Sequence, residues 1–267
     1  MIEKAYAKIN LILDIVGKRP DGYHELKSLM MPIDFYDELH FEPSDQIELI
    51  SNVDIPNNAI LKTAQLIQDT YHVQQGVKIT LNKRIPLGAG LAGGSADISA
   101  TIRGLNRFWG LNLPNRALAQ LANALGSDTL FCLYNQRAVI YGRGDQISIL
   151  PKSKPIENIT LVFPKMSILT SEVFKVFEKT SSHDFEITFN TYLVTKNQAL
   201  LYNDLLEPAF KVSPKLKSIY EQIQALGLQP HLSGSGSTLF LLDLNASQKD
   251  LLKKIQDIEI IDTKEHQ

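Results

Sequence analysis

Residues 85–97 read Ile85-Pro86-Leu87-Gly88-Ala89-Gly90-Leu91-Ala92-Gly93-Gly94-Ser95-Ala96-Asp97, with four glycines within seven positions. The stretch before it, residues 77–81, alternates between apolar and polar side chains and predicts a half-buried strand. The stretch after it, residues 98–108, has apolar residues at three- and four-residue spacing, which predicts an amphipathic helix. Glycine permits positive φ and a close approach of backbone to a ligand, and the first amides of a helix have no internal partner. The combination of strand, glycine loop and helix N-terminus therefore predicts an anion site, with phosphate as the favoured anion.

The glycine loop differs from two other phosphate-binding loops. A Rossmann fingerprint has an acidic residue about 20 positions further on, where this chain has Trp109 and three residues, 111–113, that are not acidic. The Gly-Lys-Ser/Thr sequence of a Walker loop does not occur in this stretch. A turn packed tightly for contact between helix and sheet is the alternative. The ligand interpretation is favoured because four glycines cost backbone entropy that a simple turn would not require.

The composition is that of a globular protein and restricts its partners. The chain has 267 residues, 44% hydrophobic and 21% charged, enough for one large domain or two ordinary ones. A formal net charge of −2 argues against nucleic acid or an anionic membrane as the main partner. The single cysteine, Cys132, excludes an internal disulfide and makes a cysteine-rich metal site implausible. Apolar runs of signal-peptide or membrane-spanning length are missing, so we expect a cytoplasmic protein.

The N-terminal residues predict a strand followed by a turn. Odd-numbered residues from 5 to 15 are all apolar, which indicates a strand with one core face. Lys8 and Asn10 lie on its other face, about 7 Å apart along the strand. Solvation is the simpler interpretation of a lone lysine there. Residues 19–24 read Arg-Pro-Asp-Gly-Tyr-His, and the first four are typical of a β-turn in which proline sets φ and glycine takes the left-handed position.

The remaining patterns predict an α+β fold. Strands and helices alternate without the regular rhythm of a parallel barrel, and the proline-bounded segment 151–155 is a candidate domain boundary. Asp128 follows Gly126 and Ser127, so it is either the N-cap of a short helix or a carboxylate presented for chemistry; the cap is the simpler interpretation. Predicted helices cover residues 57–71, 114–126, 171–177, 213–226 and 248–255, and predicted strands cover 138–140, 146–150, 159–163 and 239–244.

Five motifs stand in an order that resembles the GHMP kinases. They are Ala-Lys-Ile-Asn (7–10), Arg-Pro-Asp-Gly-Tyr-His (19–24), the glycine loop (86–97), Gly-Ser-Asp (126–128) and Ser-Gly-Ser-Gly-Ser-Thr (233–238). The resemblance covers nearly the whole chain. The glycine loop and the last motif mark the superfamily, whereas the first two are more specific to the branch that acts on a cytidine diphosphate-linked polyol.

This resemblance implies a two-domain α+β kinase. Residues 1–152 would form the N-terminal, ATP-binding domain and residues 153–267 a smaller C-terminal domain on the substrate side. The reaction would move the γ-phosphoryl group of ATP to the 2-hydroxyl of the methylerythritol part of the substrate, with Mg2+ present, in the non-mevalonate route to isoprenoid precursors. The implied partners are ATP and this small-molecule substrate, and the protein would be a monomer or a homodimer.

The resemblance also implies roles for individual residues. The catalytic pair would be Lys8 and Asp128, and no metal ligand is assigned. Tyr23 and Phe174 would sandwich the cytosine ring, and adenine would lie near residues 57, 58 and 62. The residues expected to wrap the ATP phosphates are Pro86, Leu87, Gly88, Ala89, Gly90, Leu91, Ala92, Gly93, Gly94, Ser95 and Ala96. Those expected to contact the substrate are Asn10, Tyr23, His24, Thr170 and Phe174.

Physical chemistry supports these roles, and some choices remain open. A lysine near Asp128 would favour the ionised carboxylate that accepts the hydroxyl proton. Ser95 is a ligand of phosphate or Mg2+, or only a helix cap. The chain departs from the family pattern at Thr129 and Leu130, where an aliphatic residue and a proline are usual, and at Ser237, where proline is usual. It also has one extra leucine within residues 203–208.

Two other functions are kept as alternatives. The first is a GHMP kinase for another small alcohol, such as homoserine or a mevalonate derivative. Two aromatic side chains, Tyr23 and Phe174, argue against it because an aliphatic alcohol offers no ring to stack on. The second is a relative that binds nucleotide without catalysis, against which the retention of Lys8 and Asp128 counts.

Overall fold

Two long strands, β1 (Ile2–Lys18) and β2 (His24–Glu42), form the N-terminal part of the chain. The computed structural model describes residues 1–178 and 183–267. The turn between the strands is the predicted one: Gly22 has a φ of 86°, and its amide donates to the Arg19 carbonyl oxygen at 3.1 Å. The chain divides into two compact units, and each of these strands contributes residues to both.

The first unit consists of Met1–Ala7, Phe35–Pro86 and Ala92–Asn135. Its strands pair in the order β3, β4, β2, with β3 and β4 parallel and β4 and β2 antiparallel. Phe41, Ile102 and Phe131 are among its fully buried apolar side chains. Its further elements are β3 (Ile47–Ser51), α1 (Ala59–Tyr71), β4 (Val77–Asn82), α2 (Gly93–Phe108), α3 (Asn115–Leu125) and α4 (Thr129–Tyr134).

The second unit consists of Lys8–Asp34, Leu87–Leu91 and Gln136–Gln267. In it β2 pairs with the hairpin β5–β6, β1 pairs in parallel with β8, and an antiparallel sheet has the order β11-β7-β10-β9. Its strands are β5 (Ala138–Gly142), β6 (Gln146–Ile149), β7 (Ile159–Pro164), β8 (Tyr202–Asn203), β9 (His231–Leu232), β10 (Leu239–Leu242) and β11 (Ile258–Thr263). Its helices are α5 (Thr170–Lys175), α6 (Phe185–Thr195), α7 (Leu206–Val212), α8 (Pro214–Ala225) and α9 (Ala246–Leu252), with a 3-10 helix at Gln198–Leu200.

The α+β class is confirmed, and the local signals explain most element ends. Asn58 caps α1 by accepting from the Ile60 amide at 2.9 Å. Strand β10 stops at Leu242, two residues before the predicted end, because Asp243 has a φ of 58°. Helix α9 begins two residues before the predicted start, since Asn245 forms a capping box with Gln248. Within residues 1–178 and 183–267, no helix has both the length and the apolar character needed to span a membrane.

Candidate active site

Helix α2 begins at Gly93 without a side-chain cap. Its N-cap residue is Ala92, which has a φ of 56° and makes no side-chain capping bond. Ser95 is the third residue of the helix, so the interpretation of Ser95 as its cap is wrong. A helix N-terminus that is not capped by a side chain keeps its amides and its partial positive charge for a bound anion.

A buried ion cluster fixes the start of the glycine loop within the first unit. The Lys83 ammonium contacts both the Asp37 and the Asp97 carboxylates, the latter at 2.9 Å. The Ile85 amide donates to Asp37 Oδ1 at 2.7 Å. Burial raises the pKa of the Asp97 carboxyl to about 7, against the opposing effect of Lys83. A Cβ at position 93 would lie 3.0 Å from Lys83 Nζ, so the cluster also explains a glycine there. Sequence reasoning missed it because its three members are far apart in the chain.

Asp128 occupies the N-cap position of α4 but does not act as a side-chain cap. The predicted N-cap position is therefore confirmed, but with φ −92° and ψ −3° its carboxylate makes no capping bond. The turn is held by the backbone instead: the Thr129 amide donates to the Gly126 carbonyl oxygen at 3.2 Å. A Cβ at Gly126 would lie 3.7 Å from Ser95 Oγ. The first unit therefore places Ser95 beside the turn that carries Asp128.

In the second unit, loop residues 87–91 pack against the second glycine motif, residues 233–238. Gly90 has a φ of 74°, and a Cβ there would lie 2.2 Å from the Ser233 carbonyl oxygen. Ser233 Oγ donates to the Gly90 carbonyl oxygen at 3.0 Å, and the Thr238 amide donates to the Ala89 carbonyl oxygen at 3.2 Å. Only a glycine at position 90 allows this approach, which links two motifs that the sequence showed separately.

Lys8 and Asn10 are buried in the second unit, 3% and 1% exposed, so the interpretation of Lys8 as a solvated lysine is wrong. The Lys8 ammonium donates to Asn10 Oδ1 at 2.6 Å, and the Gly234 amide donates to the same oxygen at 3.0 Å. Asn10 Nδ2 donates to Ser28 Oγ at 2.8 Å. The structure therefore joins the first and last of the five motifs through one asparagine.

The predicted substrate aromatics lie in the second unit. Phe174 stacks on His24 with ring centroids 4.9 Å apart and planes 27° apart. Tyr23 is 54% exposed, and the Arg143 guanidinium lies 5.5 Å from its ring centroid. The pKa of His24 is lowered by burial and by the charge of Lys18, which favours the neutral imidazole.

Two further features concern ligands. Thr170 Oγ1 and Ser235 Oγ share a hydrogen bond of 2.8 Å, which links α5 to the second glycine motif. A cavity of about 640 Å³ in the first unit is lined in part by Asn57, Asn58 and Lys62, where β3 leads into α1. Among the described residues, no three or more His, Cys, Asp or Glu side chains are grouped as a metal-binding cluster.

The sequence is similar to that of known kinases over most of its length. Residues 58–142 match the family described as the GHMP kinases N terminal domain. The 4-diphosphocytidyl-2-C-methyl-D-erythritol kinase of Geobacillus sp. (strain WCH70) is 38% identical over 252 residues, 90% of this chain and 87% of that protein. The enzyme of that name from Chlorobium chlorochromatii (strain CaD3) is 38% identical over 265 residues, 93% of this chain and 90% of that protein.

Solved structures share the fold. A crystal structure of 4-(cytidine 5'-diphospho)-2C-methyl-D-erythritol kinase has 29% identity and a TM-score of 0.84, with 100% of both chains covered. The Methanococcus jannaschii mevalonate kinase has 18% identity and a TM-score of 0.76, with 100% of this chain and 98% of that chain covered. At that identity the second likeness concerns the fold alone.

Proposed function

Because the chain belongs to the GHMP kinases, and within them to the 4-diphosphocytidyl-2-C-methyl-D-erythritol kinases, we propose that it transfers the γ-phosphoryl group of ATP to the 2-hydroxyl of 4-diphosphocytidyl-2-C-methyl-D-erythritol. The observation that carries this proposal is the identity of 38% over 90% of the chain with a kinase of that name. The reaction is a step of the non-mevalonate route to isoprenoid precursors. The homoserine and mevalonate alternatives rest only on a shared fold.

The ATP phosphates are assigned to the glycine loop, residues 86–96. This assignment is supported by the N-terminus of α2, which has no side-chain cap, and by the positive φ values of Gly88 and Gly90, 64° and 74°. Backbone amides and the helix dipole together hold phosphate without a Walker lysine. The adenosine part is assigned to the cavity beside Asn57, Asn58 and Lys62, which is large enough for a nucleoside.

Asp128 and Lys8 are assigned the catalytic roles. Phosphoryl transfer passes through a loose transition state, so positioning and charge neutralisation supply most of the rate enhancement. Asp128 orients the attacking hydroxyl and accepts its proton late in the transfer, since a carboxylate is a weak base. The Lys8 ammonium neutralises charge on the migrating phosphoryl group. Two observations support this role of Lys8: its side chain is buried, and its ammonium makes a short hydrogen bond to Asn10. A charged group that is already fixed in position needs no reorganisation during the reaction.

The cytidine part is assigned to the aromatic group of the second unit. Tyr23 and Phe174 provide ring faces for the base, and neutral His24 provides a donor and an acceptor for its edge. A base that stacks on Phe174 would compete with His24 for one face of that ring. Asn10 and Thr170 stay predictions as substrate contacts, as do the domain limits 1–152 and 153–267.

We assign Mg2+ to the first unit. This ion keeps several waters and takes one or two protein ligands together with substrate phosphates. The Ser95 hydroxyl, beside the turn that carries Asp128, would supply one such oxygen ligand. When bound, Mg2+ would neutralise phosphate charge.

The test is ATP turnover by the purified protein with Mg2+ and the cytidyl substrate, with homoserine and mevalonate phosphates in parallel. Turnover with the cytidyl substrate alone is expected. Asp128→Asn keeps the side-chain size and removes the proton acceptor, so it should abolish most turnover while the Kd for ATP stays within about threefold. Turnover with another alcohol alone, or with none despite ATP binding, would refute the proposed function. An equal loss of ATP affinity in Asp128→Asn would make Asp128 a structural residue.

A further inference from the structure

The side-chain amide of Asn203 is bound on both of its ends. Nδ2 donates to the carbonyl oxygens of Leu232 at 2.9 Å and Gly234 at 2.8 Å, and Oδ1 accepts from the Leu205 amide at 2.9 Å. These partners fix the orientation of the amide, since exchanging its oxygen and nitrogen would face acceptor with acceptor and donor with donor. Asn203 therefore holds the carbonyl groups of the two residues that flank Ser233, at the start of the second glycine motif.

Gly234 links this constraint to Lys8 through the two peptide groups on either side of its Cα. Its carbonyl oxygen is held by Asn203, and its amide donates to Asn10 Oδ1, the oxygen that accepts from Lys8 Nζ. Asn10 is held on its other side by Ser28, whose Oγ donates to the Ile12 carbonyl oxygen at 2.7 Å. The ammonium is thus placed by a continuous series of hydrogen bonds with little access to water.

The residue at the start of this hydrogen-bond series, Asn203, is also bound to β1, the strand that carries Lys8. Strand β8 pairs in parallel with β1, with Asn203 opposite Leu13. The next residue, Asp204, donates its amide to the Leu13 carbonyl oxygen at 2.9 Å and accepts from the Ile15 amide at 2.9 Å. Because Asn203 is anchored to β1 by its backbone and to Gly234 by its side chain, Lys8 is held from both directions.

We infer that Asn203 is a positioning residue for the Lys8 ammonium, acting through Gly234 and Asn10. The inference rests on the proposed function in one respect, that Lys8 acts on the phosphoryl group. A misplacement of about 1 Å in a catalytic group can lower a rate by about 10²-fold. Asn203 contacts neither the base nor the phosphates in this scheme, so its loss should lower kcat more than it raises KM.

The test variant is Asn203→Asp. It keeps the size and the acceptor for the Leu205 amide but turns the two donated hydrogen bonds into repulsion between a carboxylate oxygen and two carbonyl oxygens. We expect kcat to fall about 10²-fold, with KM for both substrates within about threefold. Asn203→Ala removes the bonds without repulsion and should give a smaller fall. The matched control is Asn197→Asp: Asn197 caps the 3-10 helix through Oδ1 alone, which aspartate retains, so kcat should not change.

Two measurements besides activity separate positioning from misfolding and from a failed function. Hydrogen exchange at the Gly234 amide should accelerate in Asn203→Asp, and the Lys8 ammonium resonance, assigned by its loss in Lys8→Arg, should shift, while the melting temperature of Asn203→Ala stays near that of the wild type. Unchanged kcat in both Asn203 variants would overturn the inference. If the wild type does not turn over the cytidyl substrate, the proposed function fails. The role of Asn203 is tested separately even then: it is overturned if the Gly234 exchange rate and the Lys8 resonance are the same in Asn203→Asp as in the wild type.

Discussion

Gly90→Ala should disrupt the packing between the two glycine motifs, and its cost can be worked out in two parts. The first part is conformational: Gly90 has a φ of 74°, where an L-residue costs about 1–2 kcal/mol. The loss of unfolded-state freedom returns about 0.4–1 kcal/mol, so this part amounts to about 1 kcal/mol.

The second part is steric. The new Cβ would lie 2.2 Å from the Ser233 carbonyl oxygen and 2.9 Å from that of Gly236, well inside ordinary van der Waals contact. Both neighbours are backbone atoms, so neither can rotate away, and one segment must move by about 1 Å. That movement would break the hydrogen bond from Ser233 Oγ to the Gly90 carbonyl oxygen, with a loss of about 1 kcal/mol. With an overpacking cost of about 1–3 kcal/mol, the total is about 3 kcal/mol or more.

Alanine substitutions at two other glycines distinguish the conformational cost from the steric cost when the free energy of unfolding is measured in urea. Gly110 has a φ of 63° and open space around its Cβ position, so Gly110→Ala should cost only the conformational part, about 1 kcal/mol. Gly94 is helical with open space, so Gly94→Ala should be neutral or stabilising by up to about 1 kcal/mol. Gly90→Ala should also weaken ATP binding in calorimetry. If Gly90→Ala is no less stable than Gly110→Ala, the reasoning about motif packing is refuted.

Two further predictions concern aromatic rings in the second unit. Phe174→Ala should raise KM for the cytidyl substrate about tenfold, which corresponds to a free energy within the roughly 1–3 kcal/mol of a stacked base. The pKa of His24 should also rise toward its usual value in an NMR titration, because the imidazole is less buried without the Phe174 ring. An unchanged KM would remove Phe174 from the site. His231 is 8% exposed, and its Nε2 has no hydrogen-bond partner among the residues that the structure describes. Burial lowers its pKa to about 4 from 6.5. The unfolded chain therefore binds the proton more tightly, and stability is lost as pH falls from 6.5 to 4, by about 3 kcal/mol. The difference in unfolding free energy between pH 7.5 and pH 4 should therefore be smaller in His231→Phe, because the contribution of His231 is removed. If that difference is the same as in the wild type, the lowered pKa of His231 is contradicted.

Sequence patterns within about 20 residues predicted the glycine loop with its flanking strand and helix. The burial of Lys8 and Asn10, in contrast, depends on residues that are distant in the chain. Alternation along β1 correctly put Lys8 and Asn10 on one face. It could not show that this face is buried, because one residue that binds Asn10 there, Gly234, is more than 220 positions away. The positioning role of Asn203 had no local signal either, since the two carbonyl groups that it holds lie about 30 positions away.

The elements that sequence reasoning missed lack a clear period. Residues 29–33 of β2 are all buried, so the period-two signal appears only in the later part of that strand. Helix α6 reads Phe-Glu-Ile-Thr-Phe-Asn-Thr-Tyr-Leu-Val-Thr, rich in β-branched and aromatic residues and apolar around its circumference, a composition that favours strand over helix in isolation. It is capped by Asp184, whose Oδ1 accepts from the Ile187 amide at 3.0 Å.

The departures after Asp128 illustrate how one constraint can replace another. A proline at position 130 would restrict φ in the first turn of α4 and would remove an amide that has no helical partner there. Here Leu130 is 3% exposed and fixes that turn by packing. Ser99 Oγ donates to the Thr129 carbonyl oxygen at 2.7 Å, and the Cys132 amide donates to that of Asp128 at 3.0 Å. Because packing and hydrogen bonds hold the backbone on both sides of Asp128, the absence of proline does not by itself release the carboxylate from its turn.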